Sequence, residues 1–251
     1  MAEIKKILIA NRGEIVQRAI RTIREMGKKS VAVYSAGDKN ASYLKHADEA
    51  VCIGGVKSSD SYLNIPALIT AAEMTGCDAI FPGYGFLSEN QDFVEICRLH
   101  NIKFIGPSVE VMEKMADKSK AKDEMIKAGV PVVPGSDGAV HTLEEGRKVA
   151  LEIGYPIMAK ASAGGGGRGM RLINDESDFD QLFMAASSEA LAAFGDGTMY
   201  LERFINNPRH IEVQVIGDSH GNAIHIGERD CSLQRRHQKV IEESPAILLN
   251  D

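Results

Sequence analysis

The amino-terminal part of the sequence alternates short apolar runs with segments of helical length, and this alternation restricts the fold more than any other feature. The apolar runs are IKKILIA (4–10), SVAVYS (30–35), CDAIFP (77–82) and IKFIG (102–106). Between them, the segments 11–29, 62–75 and 90–100 have the length and patterning of amphipathic helices. Strands that are separated by helices run parallel and are covered by helices on both faces of the sheet. The sequence therefore predicts an α/β domain with a parallel sheet.

Two loops that follow these strands are candidates for ligand binding, because parallel sheets bind ligands at the carboxyl ends of their strands. The first loop, ANRGEI, has one glycine where a dinucleotide-binding fingerprint needs three, which argues against NAD. The second loop, PGYGFLSEN (82–90), has two glycines. It is equally compatible with a binding loop and with a tight turn that ends in a serine helix cap. Both interpretations stay open.

A segment rich in proline and glycine, VPVVPGSDG (130–138), follows two predicted short helices in 108–129 and indicates a domain boundary. Beyond it, the pattern changes to that of a small α+β unit. The predicted elements are a helix at 142–153, strands at 155–162 and 169–173, a helix at 175–194 and a strand at 199–205. The segment 210–230 then alternates apolar and polar residues on both sides of GDSHGN, which predicts an antiparallel hairpin.

Four consecutive glycines in KASAGGGGRGMR (160–171) join two of these strands. A glycine backbone lets a phosphate approach closely, but this is not a Walker A loop, since a strand follows it and no Gly-Lys-Ser/Thr is present. Lys160 lies in an otherwise apolar strand, where burial is costly unless an anion meets its ammonium group. The alternatives are a phosphate-binding loop and a flexible hairpin tip with Lys160 in solvent.

A dense basic run, ERDCSLQRRHQKV (228–240), stands near the carboxyl end of a sequence whose net charge is −6. Arginine and lysine interspersed with glutamine and histidine suit a small oxyanion, although a solvated basic face has the same pattern.

The acidic net charge argues against nucleic acid as a partner. The four scattered cysteines form neither a zinc nor a disulfide motif. No apolar run approaches the ~18–20 residues of a membrane span, so we expect a cytoplasmic protein without a signal peptide.

In their order and spacing, ANRGEI, PGYGFLSEN, KASAGGGGRGMR, NPRHIEVQV and ERDCSLQRRHQKV closely resemble the motifs of biotin carboxylase, the ATP-grasp component of biotin-dependent carboxylases. The resemblance covers the whole chain, with one departure at Ala163, where many members carry glycine. It implies an α/β fold with four parts. These are a Rossmann-like amino-terminal domain (1–114), a helical linker (115–132), an α+β ATP-grasp lid (133–205) and the start of the carboxyl-terminal ATP-grasp core (206–251).

The resemblance also implies an ATP-dependent ligase that carboxylates biotin on a biotin carboxyl carrier protein. In this reaction ATP phosphorylates bicarbonate to carboxyphosphate, which breaks down to CO2 and phosphate. The deprotonated ureido nitrogen of biotin then captures the CO2. Mg2+ or Mn2+ is the expected cofactor, carboxyltransferase subunits are expected partners, and a homodimer is the expected assembly. The final acceptor stays open among acetyl-CoA, as in fatty acid biosynthesis, propionyl-CoA and pyruvate.

Matching the motifs residue by residue implies a set of site residues. Lys239 would be the catalytic residue that holds bicarbonate or carboxyphosphate. The other residues would bind ATP: Lys118, Lys160, Gly165 and Gly166 at the phosphates, Glu202, Arg203 and Ile205 around adenine, and His210, Gln234 and His237 on the ribose and phosphate side.

Family members continue past Asp251, and their metal-binding carboxylates, catalytic arginine and general base lie in that continuation. We therefore expect an N-terminal fragment with no metal ligands, inactive by itself. Two other functions stay open. One is a different ATP-grasp ligase, such as a carbamoyl-phosphate or purine-pathway enzyme, which should lack the RRHQK run. The other is a nucleotide-binding or dimerising module without catalysis.

Overall fold

A computed structural model describes residues 3–116, 118–162, 169–235, 238–247 and 249, with only the backbone described at 116 and 118–120. The chain folds as two units, Met1–Pro131 and Val132–Asp251. The change from one unit to the other falls within the proline- and glycine-rich segment 130–138. The finer domain limits at 114, 132 and 205 stay predictions.

The first unit is built on a parallel sheet, sheet 1, with the strand order β3-β2-β1-β4-β5. Its elements are β1 (Lys6–Ile9), α1 (Glu14–Glu25), β2 (Lys29–Ser35), β3 (Glu49–Gly54), α2 (Ile65–Met74), β4 (Ala79–Phe81), α3 (Gln91–Leu99), β5 (Lys103–Phe104), α4 (Val109–Ala116) and α5 (Lys118–Lys127). The predicted strands and helices of this region are confirmed. Strand β3 was not predicted; it lies at an edge of the sheet, and Ile53 is its only buried residue.

Helices cover both faces of sheet 1, as predicted. Leu8, Val31 and Val33 belong to a core that includes residues of α2 and α3. Their neighbours Ile7 and Ile9 belong to a second core that includes residues of α1. Alternate side chains of a strand point to opposite faces, so a strand buried on both faces reads as a continuous apolar run. Each fully buried leucine or isoleucine contributes about 1.5–3 kcal/mol.

The loop PGYGFLSEN forms a tight turn that is tied to the end of β1. Asn11 donates from Nδ2 to the carbonyl oxygens of Pro82 at 2.7 Å and Tyr84 at 2.8 Å. Gly83 has a φ of 66°, and a Cβ at this position would lie 2.9 Å from Asn11 Nδ2. The loop ends in a helix cap, as predicted, but the capping residue is Asn90, whose side chain accepts from the backbone N–H of Phe93. The loop thus forms a tight turn, one of the two open interpretations, with asparagine rather than serine as the cap; the interpretation as a binding loop stays open.

The second unit begins with an antiparallel sheet, sheet 2, in the order β7-β6-β8. Its elements are α6 (Leu143–Ile153), β6 (Ile157–Ala161), β7 (Met170–Ile173), α7 (Phe179–Phe194) and β8 (Met199–Arg203). One face of the sheet packs against both helices, where Ile157, Ala159 and Leu201 join Phe179 and Phe183 in a common core. The predicted α+β unit is confirmed, and the strands before and after the glycine run, β6 and β7, pair with each other.

Sheet 3, with the order β11-β10-β9, completes the second unit. Its strands are β9 (Ile211–Gly217), β10 (Ala223–Arg235) and β11 (Gln238–Glu243). The predicted hairpin corresponds to β9 and β10, whereas β11 was not predicted, since its side chains are exposed throughout and its sequence reads as part of the basic run. Among the helices of the described residues, none combines the length and apolar character needed to cross a membrane.

Candidate functional site

Sheet 2 presents Lys160 and Glu202 on the face that does not pack against helices. Ala159 and Leu201, their neighbours in sequence, are buried in the core with α6 and α7. Because side chains alternate along a strand, Lys160 and Glu202 point to the other face. In the register of the sheet, Lys160 lies opposite Tyr200 and Glu202 lies opposite Met158, which makes the two charged residues diagonal neighbours.

Lys160 and Glu202 form an ion pair, with Nζ of Lys160 donating to Oε1 of Glu202. The two side chains are 35% and 29% exposed, so this pair contributes about 1 kcal/mol or less to stability. Glu202 therefore provides the anion that a lysine in this apolar strand requires. Two residues that the motif comparison assigned to different parts of ATP are in direct contact.

Arg203 belongs to a different environment from its neighbour Glu202. Its Nη1 donates to the carbonyl oxygen of Ile153, the last residue of α6, at 2.9 Å. A cation there satisfies a terminal carbonyl group and interacts favourably with the helix dipole. Gly154 leaves room for this contact, since a Cβ at 154 would lie 2.8 Å from Nη1. Ile205 lies beyond the end of β8 with its side chain 49% exposed. Neither residue contacts the Lys160–Glu202 pair among the described interactions.

A second group of charged side chains is centred on Glu212 of β9. Its Oε1 accepts from Arg229 of β10, through Nε at 2.8 Å and Nη2 at 2.5 Å. Its Oε2 accepts from Nζ of Lys239 on β11 and lies 3.4 Å from Nε2 of His210. The register of sheet 3 places Glu212 directly opposite Arg229, and Lys239 reaches Glu212 from β11, on the far side of β10. One carboxylate therefore joins residues from all three strands.

The contacts of this cluster favour the charged forms of Glu212 and Lys239. Hydrogen bonds from Lys239 and Arg229 lower the pKa of Glu212 to about 2. The hydrogen bond with Glu212, supported by its charge, raises the pKa of Lys239 above its usual value. The ammonium group has three N–H donors, of which Glu212 takes one. Lys239 is thus a permanently charged donor at neutral pH, held in place and able to bind an anion.

The hydrogen bonds of Gln234 define the tautomer of His210. Gln234 Nε2 donates to the carbonyl oxygen of Cys231 at 2.9 Å, and because a carbonyl only accepts, the amide nitrogen must be the atom at this position. The same nitrogen lies 3.0 Å from Nδ1 of His210, so Nδ1 accepts. In the neutral imidazole the proton is therefore on Nε2, which faces Oε2 of Glu212.

Two family models together match nearly all of the chain. Residues 3–112 match the model described as "Biotin carboxylase, N-terminal domain", and residues 117–251 match "Carbamoyl-phosphate synthase L chain, ATP binding domain". The biotin carboxylase of a Nostoc species is 58% identical over 245 residues, which cover 98% of this chain and 55% of that protein.

The chain belongs to the biotin carboxylase family.

Solved structures of the biotin carboxylase family match the chain throughout. A complex of Campylobacter jejuni biotin carboxylase with β,γ-ATP has 69% sequence identity and a TM-score of 0.83, covering 99% of this chain and 56% of that one. A dimer of the biotin carboxylase domain of Hydrogenobacter thermophilus 2-oxoglutarate carboxylase, with MgADP, ADP and bicarbonate, has 50% identity and a TM-score of 0.80. It covers 100% of this chain and 55% of that one. The chain thus spans about half the length of the relatives it matches, and its resemblance to biotin carboxylase is confirmed.

The structure adds Glu212 to the residues that the motifs selected. His210, Gln234 and Lys239 were assigned separately, and Glu212 is the residue that contacts His210 and Lys239 directly. The sequence contains a pattern that could have indicated Glu212. In HIEVQV the polar residues alternate with apolar ones, which places His210, Glu212 and Gln214 on one face of a strand. The register that brings β10 and β11 to this face is a tertiary property, so the partners of Glu212 were not predictable.

Four assigned residues cannot be placed in the site. Gly165, Gly166 and His237 lie outside the described residues, as does the side chain of Lys118. Their proposed contacts with ATP stay predictions.

Within the described residues, one group has the donor atoms of a metal site. Ligand atoms of Glu212, Cys231 and Glu242 lie within 4.8 Å of one another. However, Glu212 already accepts from Arg229 and Lys239, two cations that would repel a metal ion. These residues therefore do not fit Mg2+ or Mn2+ and are better described as an ion-pair cluster.

Proposed function

We propose that this chain supplies the nucleotide-binding part of a biotin carboxylase, a ligase that uses ATP and bicarbonate to carboxylate biotin. The observation that carries the proposal is the convergence of His210 and Lys239 on Glu212 of sheet 3, with Gln234 bonded to the imidazole of His210. Two family motifs select His210, Gln234 and Lys239, since NPRHIEVQV contains His210 and ERDCSLQRRHQKV contains Gln234 and Lys239. Their convergence on one face supports a common site for the ribose and phosphate side of ATP and for bicarbonate.

In this proposal Lys239 holds bicarbonate and then carboxyphosphate. Both are anions, and phosphoryl transfer needs neutralisation of charge and positioning more than covalent catalysis. Glu212 holds the ammonium group of Lys239 in place and preserves its charge. Two N–H donors of Lys239 then remain for the substrate. Lys239 thus positions the attacking oxygen near the terminal phosphate of ATP.

Lys160 is proposed to contact the ATP phosphates, which requires a change in its ion pair. Its partner Glu202 is proposed to lie near adenine and ribose. When a phosphate arrives, the ammonium group of Lys160 can turn from the carboxylate to the more highly charged anion, because the pair is weak and about one-third exposed. A bound Mg2+ would shield the phosphate charge, but the described residues provide no set that fits it, so no step is assigned to the metal.

The partners follow from the same proposal. Biotin is presented by a biotin carboxyl carrier protein, and carboxyltransferase subunits pass the carboxyl group to the final acceptor. A homodimer is proposed as the assembly, a state found in the H. thermophilus domain. A cytoplasmic location and, with acetyl-CoA as acceptor, a place in fatty acid biosynthesis complete the proposal.

Release of ADP by the protein at its natural full length tests this function. We expect bicarbonate-dependent release of ADP that free biotin stimulates. Lys239→Gln should lower kcat by about tenfold or more while changing the Kd of ATP by less than about threefold, since the lost charge acts on the second substrate. Lys127→Gln is the matched control, because Lys127 also pairs with a glutamate, Glu124, but on an exposed helix. Release that responds to ammonia and not to biotin would replace biotin carboxylase with another ATP-grasp ligase.

A further inference from the structure

A buried carboxylate lies at the point where β10 passes the start of β9. Asp230 is 5% exposed. Its Oδ1 accepts from the backbone N–H of Ser232 at 3.0 Å and from the Ser232 hydroxyl at 2.6 Å, and its Oδ2 accepts from Nη2 of Arg209. Arg209 neutralises the charge of the carboxylate, and together the three donors satisfy its oxygens. Neither Asp230 nor Ser232 is among the residues assigned to the site.

Ser232 connects this carboxylate to His210. Its hydroxyl donates its proton to Asp230, and its oxygen accepts from the backbone N–H of His210 at 2.9 Å. The carbonyl oxygen of His210 accepts from the backbone N–H of Cys231 at 2.7 Å. Both polar groups of the His210 backbone are therefore bonded to two consecutive residues of β10.

The imidazole of His210 depends on these contacts because little packing restrains it. Its side chain is 47% exposed. Its orientation is defined by polar contacts, with Gln234 on Nδ1 and Glu212 facing Nε2. Gln234 is itself held by the carbonyl oxygen of Cys231, next to Ser232. A shift of the His210 backbone away from β10 would separate the imidazole from Gln234 and release the tautomer that Gln234 defines.

We propose that Asp230 and Ser232 are positioning residues, which act through the backbone of His210 to hold its imidazole in the orientation that binds nucleotide. Asp230 orients the Ser232 hydroxyl, and the hydroxyl oxygen holds the backbone N–H of His210. The pKa of Asp230 is lowered to about 2, chiefly by the Ser232 hydroxyl and then by Arg209, so the carboxylate is charged throughout the neutral range. The effect on ATP rests on the proposed function, whereas the orientation of the imidazole does not.

The decisive substitution is Ser232→Ala in the full-length protein, which removes the hydroxyl but leaves Asp230 bonded to Arg209 and to the backbone of residue 232. We expect the KM for ATP to rise about three- to tenfold, which corresponds to the loss of one hydrogen bond. The kcat should change by less than about twofold. Ser232→Thr keeps the hydroxyl and should stay within about twofold of the wild type. Ser177→Ala is the matched control, since Ser177 makes the same local contact with Asp175, at 2.9 Å from its backbone N–H, at a distant exposed turn.

A double-mutant cycle separates positioning from a general loss of stability. In a His210→Ala background, Ser232→Ala should have no further effect on the KM for ATP. If the two effects multiply instead, Ser232 acts independently of His210 and the proposal is wrong. An unchanged KM in Ser232→Ala alone refutes it equally.

The 15N chemical shifts of the His210 imidazole provide a measurement that needs no activity. At a pH where the imidazole is neutral, the wild type should show the tautomer with its proton on Nε2, and Ser232→Ala should show a mixture of tautomers. If the wild type releases no biotin-dependent ADP but these shifts behave as expected, the proposed function fails and the positioning role stands. If the tautomer is the same in both proteins, the positioning role fails whatever the activity.

Discussion

Replacing Glu212 with glutamine tests the charge cluster of sheet 3. The side chain keeps its shape and one carbonyl oxygen, but it loses the negative charge that faces Arg229 and Lys239. Two cations from neighbouring strands are then left near each other without their common anion. We expect both a loss of stability and a loss of the position of Lys239.

The magnitude follows from the number and exposure of the contacts. Glu212 accepts charge-assisted hydrogen bonds from two cations, and its side chain is 23% exposed. An exposed ion pair contributes about 0.2–1 kcal/mol and a buried charged hydrogen bond about 1.5–3 kcal/mol. For two contacts of intermediate exposure, we expect Glu212→Gln to lower the free energy of unfolding by about 1–3 kcal/mol at pH 7.

The loss should depend on pH, because the pKa of Glu212 is lowered from 4.5 to about 2. A carboxylate with a lowered pKa in the folded state stabilises the protein above its unfolded pKa, and this stabilisation disappears as the pH falls through the folded value. The difference between wild type and Glu212→Gln should therefore be complete above about pH 5 and shrink steadily as the pH falls from about 4.5 towards 2.

Urea denaturation of the full-length protein at pH 7 and pH 3 measures this difference. Glu124→Gln is the matched control, since Glu124 also lies near two lysines, Lys114 at 3.5 Å and Lys127 at 3.1 Å, but on exposed helices. Its substitution should cost less than about 0.5 kcal/mol. Equal losses for the two variants, or a Glu212→Gln difference that is the same at both pH values, would refute the argument from burial and charge.

Three further substitutions test other contacts. Lys160→Gln should raise the Kd of ATP about ten- to hundredfold in equilibrium binding, and an unchanged Kd would contradict the phosphate assignment. Asp38→Asn should lower the free energy of unfolding by about 1–3 kcal/mol at pH 7, since Arg12 holds Asp38 by a bidentate pair that lowers its pKa to about 2; the loss should fade between about pH 4 and pH 2 in urea denaturation. Gly146→Ala should destabilise by about 1–3 kcal/mol despite the better helix propensity of alanine, because its Cβ would lie 3.0 Å from the ring of Phe179; a higher Tm would contradict this.

Strands that are buried on both faces were predictable from their apolar runs, and the β9–β10 hairpin from its alternation and turn. β1 and β2 carry continuous apolar runs and were found from the sequence, whereas β3 and β11 carry few buried side chains and were not. An edge strand or a strand exposed on both faces is held by backbone hydrogen bonds to its neighbour. These bonds leave little trace in the choice of side chains.

The sequence selected candidate residues for the site, but not the contacts among them. Motifs selected Lys160, Glu202, His210 and Lys239, yet they did not pair Lys160 with Glu202 or place Glu212 between His210 and Lys239. A motif describes residues that are close in sequence. The partners of these charges lie on other strands, at positions that depend on the register of the sheet.

By itself, the sequence determined the parallel sheet, its helices and the hairpin, because burial and backbone geometry impose periodic patterns on residues that are close along the chain. Its motifs also indicated the family by resemblance. Only the tertiary structure decided which charges meet: Lys160 with Glu202, Glu212 with Arg229 and Lys239, and Asp230 with Ser232 beside His210. An ion pair between strands needs both partners on the same face and in register. A shift of one residue would move every side chain of a strand to the other face.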